Sequence, residues 1–100
     1  MIVALAGEID LYTAPRLQAE LAGVFSPAVP ATIVVDLSAV DFCDSTGMNV
    51  LLAAHRLAAE QGGELILAAP RPALRKILEV TGLQSVFTVR DDLAAALPGQ

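Results

Sequence analysis

Short apolar runs alternate with helix-length amphipathic segments along the whole chain, and this alternation constrains the fold more than any other feature. Residues 2 to 7, "IVALAG", form a continuous apolar run ending in glycine, which suits a strand buried on both faces. "TIVVDLS", from Thr32 to Ser38, is the strongest strand signal, because β-branched residues fill a short run bounded by proline before and a polar cluster after. It is expected at the centre of the sheet, with "AVDFC" as its extension; "ELILAA" and "SVFTV" supply the remaining strands. Helices are predicted at about 14–24, 46–61, 72–81 and 91–97. The first has Thr13 as N-cap, Pro15 in its first turn and Leu17, Leu21 and Val24 on one face. The second carries Met48, Leu51, Leu52, His55 and Ala59 and stops at Gly62-Gly63, and the third opens at Pro70 and Pro72 and closes at Gly82. "SPAVPA", with Pro27 and Pro30, reads as a loop. Strands joined by helix-length crossovers run parallel with right-handed connections. The expected class is therefore α/β: one domain over residues 1–100, a mostly parallel four-stranded sheet with helices packed on it. In such sheets chemistry gathers at the carboxyl ends of the strands, where Asp10 and the segment Asp44-Ser45-Thr46-Gly47 both fall.

Composition removes several functions. A formal net charge of −5 sets up a field that repels phosphate backbones and anionic headgroups, so neither nucleic acid nor membrane is an expected partner. The chain is 55% hydrophobic, yet no segment approaches the ~18 uninterrupted apolar residues of a bilayer-spanning helix. The opening "MIVALAGEID" has a short apolar run with no basic flank and ends in acids, unlike a signal peptide, and the expected location is the cytoplasm. With Cys43 the only cysteine and His55 the only histidine, no internal disulfide can form and a zinc site lacks ligands, so no metal is expected. Neither nucleotide-binding glycine fingerprint occurs, and no cofactor is expected.

The Asp44-Ser45-Thr46-Gly47 segment lies between a strand-like run and a long helical one. A serine nucleophile needs a base at about 2.6–3.2 Å. On a shared helix Ser45 and His55 would stand on the order of 15 Å apart, which rules out a dyad within one chain. His55 is read as a hydrogen-bonded core or boundary residue. Dimeric acid proteases carry one Asp-Thr-Gly or Asp-Ser-Gly per chain, but here the motif has an extra residue and a helical pattern follows it, against an all-β fold. A helix cap is the plainer role: Asp44 or Ser45 at N-cap accepts a first-turn N–H, worth about 1 kcal/mol, and Gly47 permits close packing. A cap needs only one such side chain, which leaves the second hydroxyl without a role. Cys43, at the end of an apolar run with no basic neighbour, is expected to be buried, with a high pKa and low reactivity.

"GEID" at 7–10, "TAPRL", "VVDLSAVDFCDSTGMNVLL" and "GGELILAAPRPALRKILEVTGL" together resemble the STAS domain of bacterial anti-sigma factor antagonists, over nearly the whole chain. The resemblance implies a non-enzymatic protein that binds an anti-sigma factor, itself a serine kinase, and so frees a sigma factor for transcription. It implies that the kinase phosphorylates the first hydroxyl after the motif aspartate, Ser45, that the antagonist then lets go, and that a serine phosphatase restores it. It also sets Asp10, Asp44, Thr46 and Met48 around Ser45 on the partner-facing surface, with Asn49 on the same side of the helix. Asp10, Asp41 and Asp44 are expected to converge there and make the site acidic. The alternative within the same fold is an accessory subunit that docks on a transporter ATPase. Family members usually carry a further strand before the one that leads into Gly-Glu-x-Asp, whereas this sequence starts directly at "MIVALAG". The exposed sheet edge this would leave invites pairing, as in a homodimer.

Overall fold

The structure, a computed structural model, describes residues 2–24 and 32–93. It consists of β1 (Ile2–Ile9), α1 (Ala14–Val24), β2 (Thr32–Cys43), α2 (Ser45–Glu60), β3 (Glu64–Ala68), α3 (Pro72–Thr81), a single 3₁₀ turn (Leu83–Ser85) and β4 (Thr88–Arg90). The sheet order is β1-β2-β3-β4, and every neighbouring pair is parallel. Each crossover steps the same way across the sheet, and right-handed connections then put α1, α2 and α3 on one face. The main core accordingly joins Leu17 and Leu21 of α1, Leu51 and Ala58 of α2, and Leu74 and Leu78 of α3 to one face of the strands. On the other face Val34, Ile66 and Ala68 form a smaller buried cluster with Leu93 against it. Of the helix expected at 91–97, residues 94–97 lie outside the described residues, and Asp91 and Asp92 form a bend.

β2 takes the interior position its sequence implies, with Ile33, Val35 and Leu37 fully buried. β1 does not behave as expected. It is an edge strand whose burial alternates, Leu5 and Ile9 inward and Ala4, Ala6 and Glu8 outward, because only one of its faces meets helices.

β2 also outruns β3. Thr32–Asp36 pair with Glu64–Ala68, while the rest of the strand pairs only with β1. Along this overhang the register slips twice: Ala4 faces Asp36 but Ala6 faces Ala39, and Gly7 faces Val40 but Glu8 faces Phe42. Each slip places one surplus residue on β2, which is a β-bulge and reverses the in-out alternation. The inward positions therefore fall three apart, at Leu37, Val40 and Cys43. Gly7, at φ 76° beside the second slip, holds a backbone conformation that a side chain would strain.

Candidate functional site

The bulged overhang ends beside the end of β1. Ile9 faces Cys43 across the ladder, and the Asp44 N–H donates to the Ile9 carbonyl at 3.0 Å. Asp10 and the Asp44 segment, far apart in sequence, thus meet at the carboxyl edge of the sheet. α2 begins here because Asp44 is extended, at φ −87° and ψ −176°, and its carboxylate accepts the Gly47 N–H at 2.9 Å. Asp44 is therefore the N-cap, and Ser45 is the first helical residue, exposed to solvent. None of the described hydrogen bonds engages the Ser45 hydroxyl. Thr46 is half-buried, and Asn49, one turn beyond Ser45 on the same face, is exposed.

Met48 differs from expectation. It is 5% exposed and belongs to the core, because it lies on the stripe of Leu51 that faces the sheet; its side chain is not on the surface around Ser45. Asp10 also has an internal task. Its Oδ1 accepts the Tyr12 N–H at 2.9 Å and the Thr13 N–H at 3.0 Å, which folds the β1–α1 turn back on itself. Thr13 precedes α1, but its hydroxyl turns back to the strand end instead of capping the first turn: Oγ1 accepts the Asp10 N–H at 2.8 Å and donates to the Glu8 carbonyl at 3.1 Å. Asp41 does not add free charge to this site, since Nη1 of Arg71 donates to its carboxylate at 2.6 Å. Nε of the same arginine donates to the Ser38 carbonyl at 2.8 Å, so the N-cap residue of α3 clasps the part of β2 that β3 leaves bare. Sequence reasoning missed Arg71 entirely, because nothing local connects position 71 to position 41.

His55 packs edge-on against Phe87, ring centroids 5.4 Å apart. The hydrogen bond expected of it is missing, as its buried Nδ1 has no partner among the described residues. The Cys43 thiol is 2% exposed, and burial, with the Asp44 charge adding to it, pushes its pKa up from 9.0 to about 11. The folded thiol keeps its proton at a pH where the unfolded one has lost it. The stability this contributes is intact below pH 9.0 and drains away as the pH rises toward about 11, by roughly 2 to 3 kcal/mol in all. Urea denaturation between pH 8 and 11 is therefore expected to show a steep alkaline loss that Cys43→Ala flattens. A thiol reagent at pH 8 should label the native protein only slowly; immediate labelling would contradict the buried placement.

Among the described residues no group of three His, Cys, Asp or Glu side chains gathers to hold a metal, and no helix is long and apolar enough to cross a membrane. The STAS domain family model matches residues 1–96. The chain belongs to the STAS domain family. Among curated relatives, this STAS domain is 32% identical over 87 residues to the anti-sigma-B factor antagonist of Listeria monocytogenes serovar 1/2a, covering 87% of this chain and 75% of that protein. It superimposes with a TM-score of 0.83 on the crystal structure of an anti-sigma factor antagonist from Mycobacterium paratuberculosis, at 36% identity over 95% of this chain and 80% of that one. The Bacillus cell fate determinant SpoIIAA in its phosphorylated form matches with a TM-score of 0.67 and 28% identity, covering 89% of this STAS domain and 80% of that chain.

Proposed function

We propose that this protein is an anti-sigma factor antagonist that binds a serine-kinase anti-sigma factor, releases a sigma factor, and is switched off by phosphorylation of Ser45. The observation that carries this reading is the position of Ser45: an exposed hydroxyl at the first residue of α2, with the capping duty already taken by Asp44. A partner can reach it without dismantling the fold. The similarity to anti-sigma factor antagonists, and to a phosphorylated one among them, supports the same role.

In the transfer step the Ser45 Oγ forms a bond to the γ-phosphorus of ATP, the bond from that phosphorus to the bridging oxygen of the β-phosphate breaks, and ADP leaves. The serine proton goes to a base on the kinase, because His55 lies ten residues along the same helix, about 15 Å away. The product carries about −1.5 to −2 charges at a helix N-terminus, where the dipole favours an anion by roughly 0.3 to 1 kcal/mol, so the fold tolerates it. The partner does not. Phosphate beside Asp44 must be desolvated in the interface, and it faces the nucleotide phosphates from which it came. Release by repulsion therefore needs no conformational change in the antagonist, and a serine phosphatase restores the binding form.

Intact-mass spectrometry tests the reading. Purified serine kinases from the same cell, with ATP, are expected to add one phosphate to the wild type and to Thr46→Ala, and none to Ser45→Ala. Transfer to Ser45→Ala but not to Thr46→Ala would move the acceptor to Thr46, and no transfer to any form would refute the kinase partnership.

A further inference from the structure

We propose that Leu11 and Tyr12, at the tip of the β1–α1 turn, are the apolar anchor by which the serine kinase docks, an inference that rests on the reading of Ser45 above. Leu11 is 63% and Tyr12 87% exposed, and at the same end of the sheet Phe42 is 50% exposed, opposite Glu8 in the ladder. Isolated apolar residues on a surface need no explanation. Two adjacent large ones on a turn this firmly held do. The tip is fixed by Oδ1 of Asp10 accepting from the Tyr12 and Thr13 N–H groups, by the Thr13 hydroxyl bridging the Asp10 N–H and the Glu8 carbonyl, and by the Ala14 N–H donating to the Asp10 carbonyl at 2.8 Å. A rigid base lowers the conformational entropy lost on association, and tyrosine is enriched among the residues that dominate interface energetics. Ser45 is two residues beyond Cys43, whose ladder partner Ile9 is two residues before Leu11, so tip and acceptor fit within one interface.

Charge specifies the partner. Glu8, Asp10 and Asp44 surround this end, and none of them is in an ion pair among the described residues. Of the cations close to this end, Arg16 in the first turn of α1 pairs with Glu20 at 3.4 Å, and Arg71 is committed to Asp41 and to the Ser38 carbonyl. The complementary surface is a protein with an apolar depression rimmed by Lys or Arg, and its association should slow several-fold between low and high salt. A nucleic acid or an anionic membrane would be repelled.

The test uses the serine kinase that transfers phosphate to the wild-type protein. Leu11→Ser/Tyr12→Ser is expected to weaken its affinity, and to raise KM for phosphate transfer, by about 30-fold or more, with kcat at saturation and the melting temperature unchanged. Val80→Ser supplies the control. Val80 is 76% exposed near the C-terminus of α3, at the opposite edge of the sheet, and its substitution should change nothing. If the double variant binds as the wild type does, or Val80→Ser weakens binding equally, the anchor is not at the tip while the reading of Ser45 stands. If the double variant instead alters self-association and leaves the kinase affinity unchanged, the occupant is a second copy and the proposal is wrong. If no kinase phosphorylates the wild type, the functional reading fails and the anchor fails with it.

Discussion

Gly47→Ala is expected to lower the melting temperature by about 10 to 25 °C, a loss of roughly 2 to 4 kcal/mol for a domain of this size. Helix propensity alone argues the other way, since alanine is favoured over glycine by up to about 1 kcal/mol within a helix. Geometry outweighs it. A Cβ at position 47 would lie 2.5 Å from Cγ2 of Ile9, 2.9 Å from Sγ of Cys43 and 2.9 Å from the Ile9 carbonyl oxygen. The Ile9 side chain could turn aside at some cost in packing. Its carbonyl cannot retreat as readily, because it accepts the Asp44 N–H that joins the two strand ends. The added methyl must therefore push α2 off the sheet or break that bond, and the displaced residues include the Asp44 cap and Ser45. Thermal unfolding followed by circular dichroism decides the matter: a melting temperature within about 3 °C of the wild type would show that the close approach is softer than drawn.

Ser45→Asp should separate stability from binding. A carboxylate in the first turn of α2 interacts favourably with the helix dipole, so the melting temperature is expected to hold or rise slightly, by at most about 1 kcal/mol of added stability. Affinity for the kinase should fall by on the order of tenfold to a hundredfold, because a like charge set against the nucleotide phosphates costs several kcal/mol when undiluted by water. Aspartate carries only one charge, against nearly two for phosphoserine, so the mimic is expected to weaken binding less than true phosphorylation. Ser45→Ala removes no described hydrogen bond and should bind as tightly as the unmodified protein. Calorimetric titration of the three forms would falsify the repulsion account if Ser45→Asp and Ser45→Ala bound equally well.

The parallel α/β architecture was legible because its signals are local: β-branched runs, apolar stripes at helical spacing, and glycines such as Gly82, which sits at φ 78° where α3 stops. The cap and the meeting of Asp10 with the Asp44 segment followed from parallel topology, which brings every strand end to one edge. What escaped reading depends on neighbours. β1 is as apolar as a buried strand, but its place at the sheet edge with helices on one face exposes half of it. Met48 sits three residues from Ser45, a spacing compatible with a shared face, and only the packing direction of α2 decides that it turns inward. The Arg71 clasp spans 30 residues and has no periodic signature. The bulges did leave a trace in the triplet spacing of Leu37, Val40 and Cys43, which a regular strand of period two does not produce.

That triplet spacing makes the length of the segment between Leu37 and Asp44 more restrictive than its chemistry. Ser38, Ala39, Asp41 and Phe42 are exposed, and changing any one of them alters a surface. Removing one is a different kind of event. With a single surplus residue instead of two, the alternation would arrive at position 43 in the opposite phase, the thiol would point to solvent, and Asp44 would enter α2 on the wrong side of the Ile9 carbonyl. Substitutions can accumulate here during divergence, whereas a one-residue insertion or deletion would have to be matched by a second that restores the count.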